Sequence, residues 1–93
     1  MREKQIEQKL AQAVRKSGGM CLKFVSSNFD GMPDRLILFP GGKIAFAELK
    51  APGKKPRPLQ IARHKVLMKL GFRVYIIDRM GQIGAVLDEI QST

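Results

Sequence analysis

The chain reads as a small α/β domain: a mixed sheet of about four strands with helices against it, in the order α-β-β-β-α-β-α. Three observations point there. Apolar residues recur at helical spacing near both termini and over residues 58–70. Strand-forming runs fill the segments between them, and clusters of Gly and Pro separate the elements.

Residues 2–17 form the first predicted helix, with Ile6, Leu10 and Val14 four apart and Ala11 and Ala13 raising propensity. Ser17-Gly18-Gly19 stops it. Residues 20–26 are a short strand, and 27–33 a loop rich in turn residues, with Asn28, Asp30, Gly31 and Pro33. A hairpin follows, residues 34–39 and 43–50, turning through Pro40-Gly41-Gly42. Residues 51–57 are a proline-stiffened loop. Pro58 opens a helix to about Leu70, because a first-turn proline loses no hydrogen bond there. Ile61, Leu67, Met68 and Leu70, with Val66 or Lys65, give that helix a broad apolar side, and Gly71 ends it. Residues 73–77, Arg-Val-Tyr-Ile-Ile, suit an interior strand. The last helix, about residues 80–90, sets Ile83, Val86, Leu87 and Ile90 at i, i+3, i+4 and i+7.

Ninety-three residues suit a single domain, 1–93, at a length where oligomerisation commonly adds stability. Seventeen Lys and Arg against eight Asp and Glu give a formal charge of +9. That excess implies a polyanionic partner, nucleic acid ahead of an anionic membrane, with solubility as the plainer explanation. One cysteine, Cys21 between Met20 and Leu22, excludes an internal disulfide, fits a reducing compartment and reads as a core residue. No apolar stretch approaches the roughly 20 residues of a membrane span, and Met1-Arg2-Glu3-Lys4-Gln5 is too charged for a signal peptide. A soluble, cytoplasmic, non-secreted protein is expected.

The chemistry gathers at the hairpin ends. Asp34 opens one strand, and Glu48-Leu49-Lys50 closes the other. Alternation puts Glu48 and Lys50 on one face, about 7 Å apart along the backbone, and pairing brings Asp34 alongside. Two hard carboxylates suit Mg²⁺, the Leu49 carbonyl offers a third oxygen, and Lys50 suits a scissile phosphate. Pro-Asp is also a common turn start, and a Glu and a Lys two apart on a strand also suit solvent. The apolar runs around them favour an interior strand, where a charged pair is costly without a ligand or partner. His64, between Arg63 and Lys65, reads as a solvated or phosphate-contacting residue and not a catalyst.

Pro33-Asp34 followed by Glu48-Leu49-Lys50 reproduces the Pro-Asp…Glu-x-Lys signature of the PD-(D/E)XK nuclease superfamily. Gly31-Met32-Pro33-Asp34-Arg35, residues 47–53 and Pro58-Leu59-Gln60 resemble the virus-type replication-repair nuclease family, VRR-NUC, in its stand-alone form. The resemblance spans nearly the whole chain and implies a restriction-endonuclease-like fold. It implies that Asp34 and Glu48 bind Mg²⁺, with Mn²⁺ able to substitute, and that Lys50 assists catalysis. It further implies that Gln60 positions water or phosphate, and that Glu7 of the first helix helps hold the metal or its waters. An ordinary surface Glu, paired with Lys4, is the other reading of Glu7. No organic cofactor is expected.

Lys54, Lys55 and Arg57 form a basic arm after the hairpin, and Arg35, Arg63, Lys65 and Lys69 extend the track. Such contacts hold the backbone without reading sequence. Tyr75 and several Phe lie in apolar runs, which argues against a single-strand stacking platform. The resemblance points to branched DNA such as four-way junctions, cut by a homodimer acting in DNA repair within a bacterial or phage-infected cell. A basic binding module, or a degenerate nuclease inside a larger complex, is the competing expectation.

Overall fold

The structure is a computed structural model that describes residues 1–93. In chain order it contains α1 (Glu3–Lys16), β1 (Met20–Lys23), β2 (Arg35–Phe39), β3 (Lys43–Leu49), α2 (Pro58–Lys69) and β4 (Arg73–Ile77). A 3-10 turn, Met80–Gln82, leads into α3 (Ile83–Gln91). The expected element order holds. The sheet runs β1-β2-β3-β4, antiparallel except for the parallel β3–β4 pair. A parallel neighbour needs a crossover, and α2 supplies it between β3 and β4.

Register decides what faces what. Arg35 pairs with Ala47, Leu36 with Phe46 and Ile37 with Ala45, so one step further Asp34 meets Glu48. Gly41 and Gly42 both take positive φ, 87° and 73°, in the hairpin turn, a conformation that side chains resist. Ala45, Ala47 and Leu49 point to the face covered by α1 and α3, where Ile6, Leu10, Val14, Ile37, Phe39, Ile77, Ile83, Leu87 and Ile90 complete the apolar core. Phe46 and Glu48 point the other way, towards α2. There Phe46 meets Phe24 and Phe72 edge-on, with centroids 5.5 and 5.8 Å apart.

Three expectations change. The first strand ends at Lys23, although Phe24 still donates to the Asp34 carbonyl at 2.8 Å. Residues 73–77 form an edge strand and not an interior one, because nothing pairs beyond β4; Ile76 is accordingly exposed. The third change concerns α2. It buries Gln60, His64 and Leu67, and leaves Ile61, Val66, Met68 and Leu70 facing outward. Apolar content does not mark which side of this helix turns inward: the inward stripe is the one that meets Glu48.

Candidate active site

Glu48 lies near the end of β3, an interior strand, and is only 1% exposed. Its two oxygens have separate partners. Gln60 Nε2 donates to Oε2 at 3.0 Å, and His64 Nε2 lies 3.3 Å from Oε1. Gln60 is itself fixed by the helix start. Its Oε1 accepts the Arg57 N–H at 2.8 Å, the backward half of a capping box, which leaves the amide nitrogen aimed at the carboxylate. His64 follows one turn later on the same stripe of α2. The expectation of a solvated His64 is therefore corrected: it is buried against Glu48, and burial lowers its pKa.

Asp34 reaches the same place from the neighbouring strand. Its Oδ2 accepts the Leu49 N–H at 2.9 Å, locking the carboxylate against the end of β3. In extended backbone the N–H and C=O of one residue face the same side, so the Leu49 carbonyl is directed to the Asp34 edge. Lys50 shares the Glu48 face, as alternation requires, with Nζ 3.8 Å from Glu48 Oε2. Burial, then the charge and hydrogen bonding of Asp34, push the Glu48 pKa up to about 8, opposed by Lys50. Two carboxylates held this close favour a proton on one.

Glu7 does not join this cluster. It sits on the α1 side of the sheet, where Oε2 accepts Arg35 Nε at 3.1 Å. Arg35 also donates to the Cys21 carbonyl at 3.2 Å, so this cation is tied inside the protein. Strand alternation explains both: Arg35 follows Asp34 directly and must face the opposite way. The acidic residue of α1 whose charge reaches Glu48 is Glu3. Helical geometry carried that signal, since at 100° per residue Glu3 falls nearer the middle of the Ile6–Leu10–Val14 stripe than Glu7 does.

Lys54, Lys55, Arg57 and Lys65 are exposed and take no part in any ion pair. Arg63 is occupied locally: Nε donates to the Asp30 carbonyl at 2.7 Å and the guanidinium covers the Phe29 ring at 3.9 Å. No three His, Cys, Asp or Glu side chains converge to cage a metal. The donors that do meet, two carboxylates and a backbone edge, suit a hard divalent ion that keeps several waters.

A four-stranded mixed sheet with two carboxylates and a lysine gathered at the ends of neighbouring strands defines a nuclease-type α/β domain. No family model matches the chain. A curated phage protein, "Putative nuclease p44" of Acyrthosiphon pisum secondary endosymbiont phage 1, is 50% identical over 78 residues, covering 84% of each chain. A solved structure described as "VRR_NUC domain" superimposes with a TM-score of 0.86 at 26% identity, covering 92% of this chain and 94% of that one. The chain belongs to the VRR-NUC family of nucleases.

Proposed function

We propose that the chain is a divalent-metal-dependent endodeoxyribonuclease that hydrolyses phosphodiester bonds in branched DNA, four-way junctions among them, as a homodimer. The observation that carries this reading is the Asp34 carboxylate fixed on the Leu49 N–H beside a buried Glu48 whose ionisation it opposes. A Mg²⁺ or Mn²⁺ ion would be held by Asp34, Glu48 and the Leu49 carbonyl, and would supply Lewis acidity and a water acidic enough to attack. Binding there requires Glu48 to be ionised.

The chain's own residues do the rest. Gln60 and His64 keep the Glu48 carboxylate oriented at both oxygens, and the Leu49 N–H does the same for Asp34. Lys50, partly open to solvent, meets the scissile phosphate and offsets charge building on its oxygens. Lys54, Lys55, Arg57 and Lys65 hold the DNA backbone without reading bases. Glu3, whose charge reaches Glu48, is the α1 residue we assign to the rim of the site, and Glu7 braces Arg35. Ile61 and Met68 on one flank of α2, and Val66 with Leu70 on and just past the other, leave apolar surface exposed that self-association would cover.

Labelled four-way junction, flap and linear duplex, incubated with Mg²⁺, Mn²⁺ or EDTA, test the reading. Cutting should need metal, favour the branched substrates and yield paired incisions in the junction. Tight junction binding with no cutting under any metal would replace it with a DNA-binding module.

A further inference from the structure

Loop 24–34 connects β1 to the site and carries two exposed apolar side chains: Val25, 85% exposed, just after β1, and Phe29, 45% exposed, near its middle. Phe29 is held in place from behind. The Arg63 guanidinium lies 3.9 Å from its ring centroid, and Arg63 is itself pinned by the Asp30 carbonyl at 2.7 Å. The loop then closes onto α2 at Gly31. With φ at +85°, a Cβ there would meet Leu59 Cγ at 2.8 Å and Arg63 Cγ at 3.2 Å. The aromatic ring is thus held against a cation while remaining nearly half exposed.

Its position gives it a use. Three residues past Gly31 the same loop delivers Asp34, and His64, next to Arg63 on α2, touches Glu48. A half-exposed aromatic ring on the loop that leads to the candidate site, in a chain of charge +9, matches a nucleobase better than an apolar protein partner.

We propose that Phe29, backed by Arg63, is a stacking site for an unpaired or end-exposed nucleobase of the DNA held at the candidate site. This rests on the nuclease reading above and deepens it. Bases within continuous duplex are stacked on both sides and offer no free face. At a junction, flap or frayed end one face is open, and an apolar wedge can hold it. Phe29 therefore selects branch over duplex without reading sequence.

The chain contains no tryptophan, so Phe29→Trp creates a fluorescent reporter at that position alone. In EDTA, adding a four-way junction should quench its emission and protect it from acrylamide, whereas linear duplex of the same sequence should leave it largely unchanged. Equal responses to the two DNAs, or no response when anisotropy shows binding, would overturn the proposal. Phe29→Ala should lower junction affinity about 10-fold or more while linear-duplex affinity stays within about twofold, the scale of one lost stack. An equal loss on both would mean the ring only supports the loop, and would also overturn it. Metal-dependent junction cutting by the unaltered chain with silent Phe29→Trp emission would end this proposal and leave the nuclease reading intact. Quenching with no cutting anywhere would end the nuclease reading and leave Phe29 as the stacking site of a DNA-binding module.

Discussion

The two faces of one sheet do different work. Towards α1 and α3, β3 presents Ala45, Ala47 and Leu49 to a dry apolar core. Towards α2 the same strand presents Phe46 and Glu48, and the helix answers with Gln60 and His64. One face is built from groups that want to leave water. The other confines a carboxylate where burial and a second carboxylate both oppose its charge. Such an arrangement is a poor way to stabilise a small domain and a good way to prepare a cation site.

Breaking the faces separately should give opposite results. Glu48→Gln should lower cleavage by about 10²–10⁴-fold or more, the range for losing a group that acts on the reacting atoms, while leaving a folded protein by circular dichroism. Leu10→Ala, on the other face, should cost about 2–5 kcal/mol in urea unfolding and leave cleavage per folded molecule unchanged. A folded Glu48→Gln variant with full activity would break the comparison.

The second difference is in proton linkage. Glu48 has a folded pKa raised from 4.5 to about 8, so the folded state holds a proton that the unfolded chain has released over that window. Its contribution is complete below the lower value and lost as pH rises through about 8. His64, with its pKa lowered from 6.5, acts in the opposite sense and only below that value, destabilising the fold as pH falls. Metal-free stability should therefore fall between pH 6.5 and 8, and excess Mg²⁺ should reverse the fall by favouring ionised Glu48. A flat urea midpoint across that range, or one insensitive to Mg²⁺, would contradict the assignment.

The smallest effects sort the cations. Replacing Lys54, Lys55 and Arg57 together should reduce the log–log salt slope of DNA binding by up to about 3, near one per phosphate contact. Arg35→Gln should leave that slope unchanged and cost about 1–2 kcal/mol in stability, because its partners are Glu7 and the Cys21 carbonyl.

The strands and helices were legible because their signals are local: alternation, four-residue spacing, and glycines at turns. The convergence of Asp34, Glu48 and Lys50 was legible too, since hairpin register follows from the turn. What could not be read depended on which way a helix or strand faced a third element. α2 carries apolar residues all round, so its composition did not reveal that Gln60 and His64 point inward. That Glu7 meets Arg35 turned on where the axis of α1 lies over the sheet. Arg35 was legible in principle, because a residue adjacent to Asp34 on a strand belongs to the other face. Phe29 was not legible because a lone aromatic in a turn-rich loop has no period to report its exposure.

Crystals grown with Mn²⁺ put the matter most simply, because the ion's anomalous signal locates it without reference to activity. A single strong peak bridged by the carboxylates of Asp34 and Glu48, absent from crystals of Glu48→Gln, is the predicted result. A well-ordered site holding Mn²⁺ elsewhere, or none with both carboxylates free and unprotonated at pH 8, would contradict the account at its centre.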